Sequence, residues 1–242
     1  MVYKKKLYDA KHRLPTDIEL IEPFLGIRLR PTEGHHPAVD WRDIPHFVSF
    51  LYREQSVSSK ALLFAILTAS RSQTVREACW GEIKFSLSEW QIPAKHMKGK
   101  QGNNQPHEVP LSNQALQLLR SMRPQENNTL IFSSTGSPLS GTALRKVIHK
   151  LDSKAHELGT KGFRDIHQNN RIVVPHGFRA TFATWAQENE EDLTVVELCL
   201  AHRDSSDRNK GAYRRGRMMK QRQQLLQRWA DYCFSAIKDA SK

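Results

Sequence analysis

One short region of alternating residues interrupts a chain whose apolar side chains otherwise recur at helical spacing. Residues 83–87 and 90–92 alternate between apolar and polar side chains, and residues 109–111 form a third short extended piece. A period of two is typical of strands with one buried face, whereas a period of about 3.6 is typical of helices that pack on a core. The sequence therefore predicts an α+β fold that is mainly helical, with one small antiparallel sheet.

The polar residues between the last two extended pieces predict a basic hairpin tip. Residues 95–105 contain Lys95, Lys98 and Lys100 together with glycines and asparagines. Glycine and asparagine accept the backbone conformations that turns require. We therefore expect two strands of the sheet to be joined by a long, positively charged connection.

Helices are predicted on both sides of the sheet. Residues 58–67 are apolar on most sides, which indicates a helix buried in the core, and residues 75–80 carry a further helical turn. Capping residues and a helix-starting proline mark other helices. These begin after Asp40, after Ser112, after Ser140 and at Pro175, and two more cover residues 193–200 and a last segment from residue 211 or 218 to residue 237. Residues 159–174 are predicted to be irregular.

The charge balance favours a polyanionic partner. The chain has 242 residues, and 37 lysines and arginines against 25 aspartates and glutamates give it a net charge of +12. A surplus of this size attracts nucleic acid, although ordinary surface solvation also uses lysine and arginine, and net charge alone does not decide between them. The 38% of hydrophobic residues fall in periodic clusters, which indicates a folded chain.

Cysteine usage and hydropathy argue against several other classes of protein. The three cysteines, Cys79, Cys199 and Cys233, are scattered and form no CxxC pair. This pattern fits a reducing cytoplasm and argues against a disulfide framework or a zinc site. No apolar run approaches the roughly 18 residues that a membrane helix needs, and the basic N-terminus lacks the apolar segment of a signal peptide.

Residues 176–213 concentrate side chains that can act on a phosphodiester without a metal ion. His176 and Arg179 are followed by His202 and Tyr213. Arginine can hold a phosphate oxygen, histidine can share or move a proton, and tyrosine can attack phosphorus and stay bonded to it. A histidine three residues before an arginine is common by chance. Taken alone, that pair is better explained as solvated residues at the start of a helix.

Two earlier residues fit the same chemistry. Arg71 ends the predicted buried helix, and Lys98 lies in the predicted hairpin tip. Structural explanations exist as well: Arg71 could interact with helix-end carbonyls, His202 could be a partly buried histidine and Tyr213 an exposed loop tyrosine. The other lysines of the hairpin tip compete with Lys98 for its role.

The order Arg, Lys, His-x-x-Arg, His, Tyr resembles the catalytic domain of tyrosine recombinases, the phage-type integrases. Five motifs are particularly similar to integrases of prophages and genomic islands: His-His-Pro-Ala-Val from residue 35, Leu-Thr-Ala-Ser-Arg from residue 67, Val-Pro-Leu-Ser from residue 109, Pro-His-Gly-Phe-Arg-Ala-Thr from residue 175 and Trp-Ala-Asp-Tyr from residue 229. The resemblance implies that residues 37–242 form the catalytic domain. Residues 1–36 would be a linker or the tail of a preceding core-binding domain.

The resemblance also implies a role for each site residue. Tyr213 would be the nucleophile that forms a 3′-phosphotyrosyl bond, and Lys98 would protonate the leaving 5′ oxygen. Arg71 and Arg179 would clamp the scissile phosphate. His176 would assist proton movement at the attacking oxygen, and His202 would hydrogen-bond a phosphate oxygen. The residues expected to contact DNA phosphates are Lys95, Lys100, Arg203, Arg214 and Arg215.

By the same resemblance, the chain would be a site-specific recombinase that integrates and excises a prophage or genomic island. No metal or cofactor is expected, because the phosphotyrosine keeps the energy of the cleaved bond. The implied partners are double-stranded DNA with att-type sites, further copies of the chain in a tetramer, an excisionase and DNA-bending proteins. The implied location is the bacterial cytoplasm, in association with the nucleoid.

One position departs from the family pattern. The family usually carries an acidic residue three positions after the first arginine, and here that position is Thr74. A missing carboxylate leaves open a catalytically impaired, DNA-binding integrase remnant. A topoisomerase-like enzyme, with the same covalent chemistry and no strand exchange, is the other alternative.

Overall fold

The structure, a computed structural model, describes residues 36–96, 106–122, 126–127, 129–201 and 218–238. The chain separates into two units, residues 1–35 and residues 36–242, and every described residue lies in the second. Its helices and strands in chain order are α1 (Ile44–Arg53), α2 (Val57–Leu67), α3 (Ser72–Arg76), β1 (Ile83–Lys84), β2 (Glu89–Ile92), β3 (His107–Pro110), α4 (Asn113–Ser121), α5 (Ala143–Glu157), β4 (Arg164–Asp165), β5 (Arg171–Ile172), α6 (Gly177–Glu188), α7 (Leu193–Cys199), α8 (Met219–Cys233) and α9 (Ser235–Lys238). Short 3-10 helices cover Trp41–Asp43, Trp80–Glu82 and Ala94–His96.

Helix α2 lies at the centre of this unit. It contacts α1, α3, α4, α5, α6 and α8, and each of its residues 61–67 is at most 6% exposed. A helix with apolar side chains on every side is stable in water only when other elements surround it. The Ser56 hydroxyl begins the helix by accepting a hydrogen bond from the Ser59 N–H at 3.1 Å. The prediction of a buried helix here is confirmed.

The predicted small antiparallel sheet is confirmed in the order β1-β2-β3. Trp90 pairs with Ile83 on one side and Val109 on the other, and all three side chains are buried. The Trp90 ring lies 5.2 Å from that of Phe64, so the sheet packs on α2. Its indole N–H donates to Glu82 at 2.9 Å, which satisfies the one polar group that this burial removes from water. Residues 97–105 of the predicted hairpin tip lie outside the described residues.

Three sequence predictions need correction. Ser140 does not cap a helix: α5 begins at Ala143, and the Ser140 hydroxyl lies 3.3 Å from that of Thr142. The helical turn predicted at residues 75–80 is α3, which ends at Arg76. Residues 159–174 are not wholly irregular, because β4 and β5 pair within them. Two-residue strands are too short to show a period, and the buried carboxylate of Asp152 secures them by accepting from the Phe163 N–H and from Arg164.

The C-terminal helix packs its aromatic residues into the core. Trp229 of α8 is fully buried, and its indole N–H donates to the Ile66 carbonyl of α2 at 2.9 Å. Its ring lies 5.0 Å from that of Trp185 on α6. The prediction that Trp229 packs the core instead of stacking on bases is therefore confirmed. Among the residues described, no helix is long and apolar enough to cross a bilayer.

Candidate active site

Arg71 is positioned by the way α2 ends. Ala69 has a left-handed backbone (φ 47), and the Ser70 N–H donates back to the Ala65 carbonyl at 3.1 Å. This closing turn reverses the chain direction, and Arg71 follows it as the residue immediately before α3. Its side chain is half-buried, and burial lowers the pKa of its guanidinium. Arg71 is thus held at a helix junction, close to the core.

Arg179 is buried where three helices meet. It lies in the first turn of α6 and is 6% exposed. Its guanidinium donates to the carbonyl of Ala69, just after α2, and to the carbonyl of Leu200, just after α7, the latter at 2.5 Å. Carbonyls at helix C-termini have no donor within their own helix and carry partial negative charge. Arg179 satisfies both carbonyls, and they fix its orientation.

The two arginines lie close together although they are far apart in sequence. Burial, and then the positive charge of Arg71, lower the pKa of Arg179 to about 10, while Glu197 acts in the opposite direction. A like charge shifts a pKa in this way only at short range. A pKa of about 10 still leaves Arg179 cationic at neutral pH. The fold thus holds two cations side by side against their mutual repulsion, an arrangement that an anion bound between them would stabilise.

His176 lies at the same end of α6 as Arg179. The helix begins at Gly177, so the predicted start at Pro175 is wrong and His176 is the capping residue before the helix. The side chain of His176 is exposed, and its ring lies edge-on to that of His36 with centroids 4.6 Å apart. The backbone N–H groups of a first helical turn favour bound anions. His176 and Arg179 therefore share a helix end that suits a phosphate.

A short segment that we call the strap, residues 36–39, crosses this end of α6. Three hydrogen bonds hold it: Pro37 accepts from the Val174 N–H at 3.1 Å, Ala38 donates to the Asp165 carboxylate at 2.9 Å, and Val39 accepts from the Thr181 hydroxyl at 2.7 Å. The closest approach is at Gly177, where an added Cβ would lie 2.0 Å from the Pro37 carbonyl oxygen. Only glycine fits beneath the strap, and the sequence signal for it was the glycine that follows His176.

Thr74 occupies the position where the family pattern has an acid. Its side chain is buried, and its hydroxyl lies 3.4 Å from the His96 carbonyl oxygen. The His96 imidazole is in turn 2.8 Å from the Glu82 carboxylate. Thr74 therefore links α3 to the last described residue before residues 97–105, and it adds no negative charge beside Arg71.

The other predicted site residues are only partly within view. Lys95 is exposed in the 3-10 helix Ala94–His96. It lies near Cys79: burial and Glu82 raise the pKa of that thiol, and Lys95 opposes the shift. The residues outside the described part of the chain are Lys98, Lys100, His202, Arg203, Tyr213, Arg214 and Arg215. In the part that is described, no group of three or more His, Cys, Asp or Glu side chains is arranged to hold a metal ion.

Residues 40–218 match the model of the phage integrase family, and the chain belongs to that family. It is 30% identical over 210 residues to the prophage integrase IntA of Escherichia coli K12, covering 86% of this chain and 46% of IntA. It is also 30% identical over 209 residues to the prophage integrase IntZ of the same organism, covering 84% of this chain and 46% of IntZ. The chain thus spans about half the length of the curated relatives it matches.

A solved structure shows the same fold. The Tn1549 transposon integrase, in complex with circular intermediate DNA, aligns with a TM-score of 0.54 over 80% of this chain and 66% of that one. The sequence identity is 14%, so this likeness concerns the fold alone. The predicted fold, a mainly helical tyrosine recombinase catalytic domain with a small antiparallel sheet, is confirmed.

Proposed function

We propose that this chain is the catalytic part of a site-specific DNA recombinase that integrates and excises a prophage or genomic island. The single observation that carries the proposal is the adjacent pair of buried cations, Arg71 and Arg179. Guanidinium groups match two phosphate oxygens with parallel hydrogen bonds and keep their charge at neutral pH. Membership of the phage integrase family supplies the substrate class, double-stranded DNA.

The proposed reaction begins with a scissile phosphate held between the two arginines. The phenolic oxygen of Tyr213 attacks phosphorus, the bond to the 5′ oxygen breaks, and a 3′-phosphotyrosyl ester forms. The phenolic proton leaves with the help of His176, and the departing 5′ oxygen takes a proton from Lys98. Arg71, Arg179 and His202 stabilise the charge that grows on the phosphate oxygens, a role that usually accounts for the largest share of such a rate enhancement. Attack by a 5′ hydroxyl of another strand reverses these steps, so rejoining needs no external energy.

The proposed DNA contacts outside the reaction centre are electrostatic. Lys95, Lys100, Arg203, Arg214 and Arg215 would neutralise backbone phosphates, so affinity would fall steeply with salt and carry little sequence information. Further copies of the chain in a tetramer, an excisionase and DNA-bending proteins are the proposed partners at att-type sites. The proposed location is the bacterial cytoplasm, at the nucleoid.

Covalent trapping on nicked DNA tests the proposal. Duplexes selected from a randomised library for binding to this chain are nicked at successive positions, so that the short 5′-hydroxyl fragment diffuses away after cleavage and rejoining fails. We expect a protein–DNA adduct that survives denaturation, maps to Tyr213 by peptide analysis and disappears in Tyr213→Phe. The control Tyr52→Phe changes a tyrosine that is 50% exposed on α1 and should leave trapping intact.

The other outcomes of the trapping experiment are equally informative. Tight DNA binding without any adduct would contradict the proposed chemistry and identify a binding remnant. An adduct on another residue would contradict the assignment of Tyr213. Trapping that is never followed by exchange between two paired sites would indicate a strand-passing enzyme of the topoisomerase kind instead of a recombinase.

A further inference from the structure

Arg222 is a buried cation that the proposed reaction does not use. It lies in the first turn of α8 and is 2% exposed. Its guanidinium donates to the Glu108 carbonyl of β3 at 2.5 Å, and the same nitrogen lies 3.4 Å from the His107 imidazole. Arg222 also hydrogen-bonds the thiol of Cys199 at the end of α7: burial raises the pKa of that thiol to about 11, and Arg222 opposes the shift. One side chain thus contacts three segments of the chain.

An arginine is an expensive choice for this position. Taking a guanidinium out of water is unfavourable unless its N–H groups find acceptors, and an apolar side chain would fill the same space without that penalty. The other buried side chains of α8 include Leu225, Leu226 and Trp229. What distinguishes Arg222 from them is the direction of its hydrogen bonds, which fix the start of α8 against one particular strand and the end of one particular helix.

The three segments that meet at Arg222 flank the remaining predicted catalytic residues. Strand β3 is the first described element after Lys98, and α8 is the first after Tyr213. Helix α7 ends at Cys199, three residues before His202. Helix α8 contacts both β3 and α7. Arg222 therefore joins the described ends of segments whose catalytic residues must act on the same phosphate.

We propose that Arg222 is a positioning residue that holds the strand following Lys98 in register with the helix following Tyr213, so that the proton donor is aligned with the nucleophile. This inference rests on the proposed function. Its specific consequence is that a disturbed Arg222 weakens protonation of the leaving oxygen more than it weakens phosphate binding. A residue that only stabilised the fold would affect every step of the reaction alike.

A change of leaving group separates these two possibilities. The nicked duplex is prepared with either oxygen or sulfur at the scissile 5′ position. When Tyr213 displaces oxygen, the leaving group must take up a proton, whereas sulfur departs as a thiolate because thiols have a pKa near ~8.5. Single-turnover rate constants are measured for both duplexes with protein in excess. The ratio of the two rate constants does not depend on how much of a variant is folded.

For Arg222→Lys we expect cleavage of the oxygen duplex to slow about 100-fold, the scale on which a positioned proton donor acts, while the sulfur duplex is cleaved at close to the wild-type rate. The sulfur-to-oxygen ratio should therefore rise about 100-fold over that of the wild type. His107→Ala removes one of the groups in contact with Arg222 and should raise the ratio in the same direction by a smaller factor. This second variant decides the matter if Arg222→Lys does not fold.

Arg228→Met is the matched control. Arg228 lies on the same helix, is exposed and pairs with Glu191 at 2.5 Å, so the ratio should equal that of the wild type. Equal slowing of both duplexes in Arg222→Lys, or an unchanged ratio in His107→Ala if Arg222→Lys is insoluble, overturns the positioning role and leaves the proposed function standing. If the wild-type chain forms no Tyr213 adduct on either duplex, the proposed function fails, and the role of Arg222 fails with it.

Discussion

Replacing Arg179 by lysine is expected to slow covalent cleavage by about 1000-fold, the upper part of the range for loss of a charge-stabilising donor at a reaction centre. Lysine keeps the positive charge but presents it as a point, whereas the planar guanidinium of Arg179 spans two carbonyls and remains oriented toward Arg71. A shift in this cation misaligns the phosphate that the two arginines are proposed to share. Single-turnover trapping at saturating protein measures the rate separately from DNA binding.

The same residue should also contribute to stability. Arg179→Met leaves the carbonyls of Ala69 and Leu200 without their donor in a buried site, at a cost of about 1–3 kcal/mol for each. We expect the free energy of unfolding in urea to fall by about 3 kcal/mol, less than the sum because the site relaxes. The control Arg145→Met changes an exposed arginine of α5 and should alter it by less than about 0.5 kcal/mol. Equal stability of the two variants would contradict the structural role of Arg179.

Gly177→Ala is expected to destabilise the protein by about 3 kcal/mol, the upper end of the usual cost of overpacking. The added methyl group would lie 2.0 Å from the Pro37 carbonyl oxygen and 2.9 Å from Ala38 Cα. Both are backbone atoms, so a side-chain rotation cannot relieve the clash. The strap must move away from α6, and the bonds to Val174, Asp165 and Thr181 must lengthen or break.

Because His36 belongs to the strap, Gly177→Ala should also reduce cleavage by disturbing the ring contact with His176. The control is Gly141→Ala, since a methyl group added there meets nothing within 4 Å. Thermal and urea unfolding of both variants, followed by trapping at a temperature where both are folded, gives the two effects separately. An alanine at position 177 that costs no more stability than one at position 141 would show that the strap does not lie where we describe it.

The sequence was sufficient for those parts of the fold that are encoded locally. Burial of α2 follows from its own apolar residues, and the sheet follows from the alternation around Trp90. The proximity of Arg71 and Arg179 was expected only through family resemblance, because nothing local relates residues so far apart. Hydrophobic periodicity reports which face of an element is buried, but not which elements meet.

The remaining features depend on contacts with backbone atoms distant in sequence. Arg179 is held by carbonyls at the ends of two other helices, and Arg222 by a carbonyl of β3. A carbonyl acceptor has no residue-specific signature, so these interactions leave little trace in the sequence. The pairing of β4 with β5 was missed for a different reason: two-residue strands are shorter than the pattern that would predict them.

The most direct test of the central claim is a thermodynamic cycle that pairs Arg71→Ala with a methylphosphonate at the scissile position. The methyl group removes one non-bridging oxygen and the negative charge that the arginines are proposed to hold. If Arg71 holds that oxygen, the methylphosphonate should slow the wild-type protein much more than it slows Arg71→Ala, giving a coupling free energy of about 2 kcal/mol for one of the two stereoisomers. Equal slowing of both proteins by both stereoisomers would mean that Arg71 does not contact the scissile phosphate, and would contradict the account.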